Sequence, residues 1–224
     1  MAEYSKPDHW SIKAQKEGYP ARSVYKLKEM DEKFGLVKCA CPPFRVLDLG
    51  AAPGSWSLYI LRKLPLKANA LETSGAKPVV PTLVSVDLVP LSRHYPKSAL
   101  AHDEGLFDRP DFLFIQGDFT SGIIMETVVS HGPYSLVVSD AAPFTTGNRS
   151  VDTLRSLDLA ETALHYAETA LAKGGNLAIK VFQGGDTGKL LKAIRSLFET
   201  GKGFKPQACR AGSFETYYLG LGRK

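Results

Sequence analysis

The stretch Arg45-Val46-Leu47-Asp48-Leu49-Gly50-Ala51-Ala52-Pro53-Gly54-Ser55-Trp56 decides the fold of this sequence. Residues 45–49 are a short, mostly apolar run that reads as a buried strand with one acid, Asp48, near its end. Gly50 to Gly54 hold only small residues, so the chain turns there and a ligand can approach the backbone closely. Trp56 to Leu64 reads as a helix stopped by Pro65, and a helix N-terminus offers N–H groups to the same ligand. The turn is neither the G-x-G-x-x-G of a dinucleotide site nor a phosphate loop with its Lys-Ser/Thr, so both readings lose ground.

Working outward, the same alternation continues. Upstream, Val24, Tyr25, Leu27, Met30 and Phe34 recur near the helical period and predict an amphipathic helix over 21–34, opened by Pro20. Downstream, apolar runs predict strands at 83–88, 111–116, 134–139 and 176–181, with helices at 122–130, 154–172 and 187–198. Gly174-Gly175 stop the long helix. Two last runs, 205–209 and 216–221, have no helix between them and read as an antiparallel ending. Strands alternating with helices imply an α/β chain whose sheet is mainly parallel, with helices on both faces. Segments 67–82 and 91–110 show no period and read as surface insertions. Residues 1–20 read as a basic N-terminal extension and 21–224 as a single domain.

Composition sets the outer limits. At 224 residues the chain can bury roughly 70% of its unfolded surface, so it needs no disulfide or metal to fold. No run approaches the ~20 apolar residues of a membrane span, and MAEYSKPDHW lacks an apolar signal core. Membrane, secreted-scaffold and disordered classes are therefore excluded, and a cytoplasmic monomer is expected, with an organellar location left open. Three cysteines (Cys39, Cys41 and Cys209) have no paired spacing, which fits a reducing compartment. Cys39-x-Cys41 has no further pair to complete four ligands, so no metal site is expected. Net charge is +5, and the excess sits at the ends: Lys6, Lys13, Lys16, Arg22, Lys26 and Lys28 early, Lys202, Lys205, Arg210, Arg223 and Lys224 late. Two basic ends that meet in space suit a polyanion. Tyr4, Trp10 and Tyr19 interleave with the early cations, as aromatics do where RNA bases stack between phosphate contacts; a solvated terminus is the plainer alternative.

Acids recur at the strand ends. Asp48 lies in the first strand, Asp87 ends the second, Asp118 follows the third and Asp140 the fourth. Ligands of open α/β sheets bind at the carboxyl edge, so four such acids would surround one cleft. They would repel a polyphosphate. They suit a ligand with an amino group, a ribose diol and a sulfonium, namely S-adenosylmethionine. Asp87 is then placed for ribose hydroxyls and Asp118 for the adenine amino edge, while Asp48 accepts from the methionine ammonium or braces the turn.

Several blocks, in order, carry a resemblance: YPARSVYKL, GAAPGSW, SDAAP, GNRSVD, KVFQG and KPQACRAGSFETY. From about Gly18 to Leu221 the chain resembles the FtsJ/RrmJ-type RNA 2′-O-ribose methyltransferases. The resemblance implies a Rossmann-like S-adenosylmethionine-dependent fold with a mostly parallel seven-stranded sheet and an antiparallel C-terminal strand. It also implies a Lys-Asp-Lys-Glu set, matched by Lys26, Asp140, Lys180 and Glu215, and a cofactor site at Asp48, Gly50, Pro53, Gly54, Trp56, Asp87, Asp118 and Asp140. Trp56 contributes there through its backbone or is simply core.

Chemistry accounts for the set. A ribose 2′-hydroxyl must lose its proton as it attacks a methyl carbon, and Lys180, inside the apolar strand LAIKVF, is the expected acceptor. Burial beside a second cation such as Lys26 would lower its pKa. Asp140 and Glu215 hold the lysines and the sugar, and Lys26 stabilises the oxygen or steers the RNA. Plainer alternatives are an edge-strand lysine for Lys180, a solvated helix residue for Lys26 and a pair with Arg210 for Glu215. Large-subunit rRNA is the expected substrate. Ser55, and Phe144 where Asn is common in the family, leave tRNA or an mRNA cap open, and a non-catalytic RNA-binding assembly protein is the reading from another class.

Overall fold

The computed structural model describes residues 7–37, 44–64, 81–92, 105–210 and 212–224. Cys39, Cys41, Tyr4 and most of the two expected insertions (67–80 and 93–104) lie outside them. The helices are α1 (His9–Lys16), α2 (Val24–Phe34), α3 (Ser55–Lys63), α4 (Gly122–Ser130), α5 (Arg149–Ala170) and α6 (Thr187–Leu197). The strands are β1 (Val46–Leu49), β2 (Leu83–Asp87), β3 (Phe112–Gln116), β4 (Tyr134–Ser139), β5 (Leu171–Phe182), β6 (Phe198–Phe204) and β7 (Glu215–Arg223).

They form one sheet in the order β3-β2-β1-β4-β5-β7-β6, parallel throughout except for β7, which runs antiparallel to both neighbours. The chain first winds from β1 out to β3, then crosses to β4 on the other side of β1. That reversal makes the carboxyl ends of β1 and β4 the switch point at which α/β sheets open a crevice. The two turns there touch. Gly50 has φ +72, and a Cβ on it would lie 2.6 Å from that of Ala141, so both its conformation and the close approach require glycine.

Period-two alternation sorts the strand residues onto two faces. Val46, Leu83, Leu136, Val138, Ala178 and Leu219 pack with α2 and α3. Leu47, Val84, Val137, Leu177, Ile179 and Val181 pack with α4, α5 and α6 on the other face. Lys180 shares the parity of Ala178 and Tyr217 that of Leu219, so both point to the α2/α3 side.

Four expectations need correction. The late strand lies at 198–204, directly after α6, and 205–210 is a turn. Gly201, Lys202 and Gly203 hid that strand from an apolar pattern, and Pro206 lacks the N–H to extend a ladder. The long helix starts at Arg149, because the Asn148 side chain accepts from the amides of Ser150 and Val151. Part of the second insertion is core: Phe107 is buried against Phe112, and Arg109 pairs with Asp111 while donating to the Leu61 and Leu64 carbonyls at the end of α3. Finally, residues 9–16 form a helix capped by Asp8 and seated on α2, with Ala14 and Tyr19 buried and Trp10 stacked on Tyr25 at 5.0 Å. Tyr19 lies under the Arg62 guanidinium, so it is no platform for a base.

Candidate active site

A half-open cleft of about 450 Å³ lies at the switch point. Gly50 and Ala52 line it from the first turn, Asp87 and Asp118 from the β2 and β3 ends, and Asp140, Pro143 and Phe144 from the loop after β4. The two outer acids are held by backbone. Asp87 accepts from the Ala52 amide at 2.8 Å and the Val89 amide at 2.9 Å, one on each oxygen. Asp118 accepts from the Thr120 amide and hydroxyl at 2.8 and 2.7 Å, both on Oδ1. A carboxylate has about four lone-pair sites, so each keeps acceptor capacity for a ligand.

Other expected cofactor residues stand elsewhere. Asp48 is 1% exposed and does not border the cleft; it accepts from the Ser57 hydroxyl at 2.7 Å, which in turn meets Ser85 at 3.0 Å. It braces α3 against the sheet. Its Oδ1 is buried with no hydrogen-bond partner, and burial pushes its pKa up to about 7 against the Ser57 bond. Pro53, Gly54 and Trp56 also lie off the cleft lining. The Trp56 ring is core: its N–H donates to the Ser23 carbonyl at 2.8 Å and its face meets Tyr217. The amides of Gly50, Ala51, Ala52 and Gly54 are all taken inside the protein, by Val86, Val86, Asp87 and Ala51. The small turn thus contributes close approach rather than donors.

The second set of residues does meet. Lys180 lies on β5, an interior strand between β4 and β7, which removes the edge-strand alternative. Its Nζ donates to the Asp140 carbonyl at 2.5 Å and stands 3.1 Å from Asp140 Oδ1. Lys26 comes down from α2, only 9% exposed, and reaches Glu215 at 2.9 Å and Asp140 Oδ1 at 3.9 Å. Lys26 is therefore no solvated helix residue, and Glu215 pairs with it. Four residues spread over 190 positions share one small volume at the cleft's edge.

Tyr217 belongs to this cluster, although the sequence reading missed it. It sits directly across from Lys180 in the β5–β7 register, fully buried, and its hydroxyl donates to Asp140 Oδ1 at 2.5 Å. The usable signal was alternation: two residues beyond Glu215 on a strand is the same face.

Charge is balanced locally. Where the sequence suggested one lysine pressed against another, the Asp140 carboxylate stands between the two ammonium groups. Burial alone would raise the Asp140 pKa, but Lys180, Lys26 and the Tyr217 hydroxyl together hold it below the usual carboxylate value. Burial likewise pulls Lys26 down, and Asp140 with Glu215 outweighs it, so its pKa is raised. Cys209, beside Glu215, is pushed up to about 12, chiefly by burial.

Next to the cluster, Arg22, Ser23, Lys26, Arg210, Ser213 and Glu215 line a cavity of about 220 Å³. Arg22 donates to the Ala208 carbonyl and pairs with Asp8, tying α1 to this rim. Arg223 and Lys224 do not extend the surface. Eight residues of extended β7 put Arg223 roughly 26 Å from Glu215. There the two side chains satisfy carbonyls at Glu168, Leu171, Arg195 and Ser196, at or just past the C-terminal turns of α5 and α6. Among the described residues no three His, Cys, Asp or Glu side chains gather as metal ligands, and no helix is long and apolar enough to cross a membrane.

Sheet order, switch-point cleft and strand-end acids define the class: a Rossmann-like α/β protein with a ligand site at the carboxyl edge of its sheet. A sequence profile described as FtsJ-like methyltransferase matches residues 19–223, and the chain belongs to that family. It is 47% identical to the ribosomal RNA large subunit methyltransferase E of Treponema denticola, over 99% of this chain and 97% of that one. It is 41% identical to the protein of the same name from Nitratidesulfovibrio vulgaris, covering 96% and 94%. A solved structure described as a ribosomal RNA methyltransferase of Plasmodium falciparum shares the fold with TM-score 0.64 at 23% identity, covering 92% of this chain and 98% of that one.

Proposed function

We propose that this protein uses S-adenosylmethionine to methylate a ribose 2′-hydroxyl in large-subunit ribosomal RNA, with Lys180 as the proton acceptor. The cleft fits the methyl donor by its chemistry. Asp87 and Asp118, fixed by backbone amides, keep lone pairs for hydroxyl and amino donors, and the carboxylate wall disfavours polyphosphates. When bound, S-adenosylmethionine supplies a methyl carbon on a cationic sulfur, which makes the sulfur a ready leaving group.

The residues of this chain do the rest. Lys180 first releases its ammonium proton to solvent, then takes the proton of the 2′-hydroxyl as that oxygen attacks, and leaves the step as the ammonium again. Its Nζ is aimed by the Asp140 carbonyl and carboxylate, and Asp140 is in turn held by Tyr217. Glu215 fixes Lys26, whose charge stabilises the oxygen as it loses its proton. General-base assistance is worth about 10²–10⁴-fold. Holding the two reactants in line adds up to roughly 7–11 kcal/mol in favourable cases.

The meeting of Lys26, Asp140, Lys180 and Glu215 beside the cleft is the single observation that carries this reading. It favours an enzyme over a non-catalytic RNA-binding protein, which has no need of two buried lysines and two acids in one place. The relatives' names favour large-subunit rRNA over tRNA or a cap. Ribose methylation mapped across total RNA from cells lacking the protein tests it. One large-subunit position is expected to lose its methyl group and to regain it with the wild-type gene but not with Lys180→Ala. Loss at a tRNA position instead would move the substrate, and a complete map unchanged everywhere would reject the activity.

A further inference from the structure

Phe144 is the most exposed large apolar side chain among the described residues, at 85%. It stands in an unusual place. It lines the same cleft as Asp87, Asp118 and Asp140, four residues beyond the acid that joins cleft to lysine cluster. A single exposed ring is ordinary on a protein surface, and what sets this one apart is its place on the wall of the cleft beside Asp140.

The loop carrying it is anchored. The buried Asp152 carboxylate accepts from the Thr146 amide at 2.7 Å, the Thr146 hydroxyl at 2.8 Å and the Gly147 amide at 3.3 Å. Asn148 then caps α5. That anchor, two residues past the ring, restricts the loop before a partner arrives and so lowers the ordering cost of binding.

A second aromatic near the cluster provides the contrast. Phe214, next to Glu215, is already covered: the Arg149 guanidinium lies over its face at 5.2 Å and Phe182 meets it at 4.7 Å. No ring packs on Phe144 among the described residues.

We infer that Phe144 is a stacking platform for a nucleobase of the RNA strand that carries the acceptor ribose. The inference rests on the RNA-methyltransferase reading and adds a base-binding subsite to it. The occupant follows from the surroundings. A flat aromatic face suits a base. The cavity on the other side of the cluster is lined by three cations, Arg22, Lys26 and Arg210, against one acid, Glu215, and that net positive lining suits the phosphates of the same strand. The cleft's polar acids, by contrast, already serve the methyl donor.

The test compares Phe144→Ala, Phe144→Leu, Phe144→Tyr and Phe144→Trp on large ribosomal subunits from cells lacking the protein. Methyl transfer is measured against subunit concentration, and S-adenosylmethionine affinity by titration. Alanine and leucine are expected to lower kcat/KM for the subunit by about 5- to 100-fold, the range base stacking supplies. Tyrosine and tryptophan should stay within about threefold of wild type, and in the alanine and leucine variants cofactor affinity should fall by much less than kcat/KM. Leucine as active as phenylalanine would mean a generic apolar contact, such as a ribosomal protein, and would overturn the stacking assignment. Loss of cofactor affinity in step with transfer would make Phe144 a wall of the donor site instead. Unchanged kcat/KM in the alanine variant would also reject the subsite. If wild type itself transfers no methyl group to the subunits, it is the underlying reading that fails.

Discussion

The two pairs of acids around this cleft have opposite surroundings. Asp87 and Asp118 are held by backbone amides and a hydroxyl at strand ends, with acceptor capacity turned to the cleft. Asp140 and Glu215 are held by two buried lysines, and Asp140 also by a tyrosine. Acids of the first kind keep lone pairs free for polar hydrogens on a ligand. Those of the second kind hold cations in position. Residue type alone does not separate the two; the partner does.

The sharpest way to break this division is Lys180→Ala. Methyl transfer is expected to fall by about 10²–10⁴-fold or more, with cofactor affinity within about twofold. Single-turnover assays and titration calorimetry read the two separately, and an equal loss of both would merge the two regions into one. Asp118→Ala should do the reverse. A lost hydrogen bond to a charged group weakens cofactor binding by roughly 10- to 100-fold, while kcat at saturating cofactor stays within a few-fold. A collapse of kcat at saturation would place Asp118 in the chemistry.

Asp48 sharpens the comparison most gently, because it belongs to neither pair. Its folded pKa, raised from 3.8 to about 7 chiefly by burial, means the folded chain keeps a proton that the unfolded chain has released. Its contribution to stability therefore falls as pH rises from about 4 to 7, then levels off. Asp140 has the opposite sign: its pKa is lowered, so its contribution is present above the unfolded value and lost as pH falls through the folded one. Asp48→Asn should gain in Tm relative to wild type as pH rises from 4.5 to 7.5. A difference independent of pH would show that Asp48 is not held protonated.

Much of this was legible along the chain. Apolar runs located β1, β2, β3, β4 and α4 to within a residue, because apolar strands and a short apolar helix leave short, local patterns. The strand β6 was not legible, since Gly201, Lys202 and Gly203 carry no apolar alternation; its pairing with β7 is a non-local fact. Helix α1 escaped for a related reason, having one buried apolar residue, Ala14, in eight. In the site, motif matching named the four ionisable residues, whereas Tyr217 needed a register. Asp48 looked like its three counterparts from sequence, but strand parity turns it under α3.

The sequence by itself determined the order of elements from α2 to β5, the small-residue turn at 50–54 and the supply of acids and lysines, because these depend on neighbours along the chain. Only the tertiary structure decided which acids line the cleft, which face a lysine, and that Arg223 and Lys224 satisfy carbonyls at the ends of helices. Those outcomes depend on strand order and parity, which bring residue 26 within bonding distance of 215 and send residue 223 to the far end of the sheet. A charge acquires its role from what the fold leaves beside it.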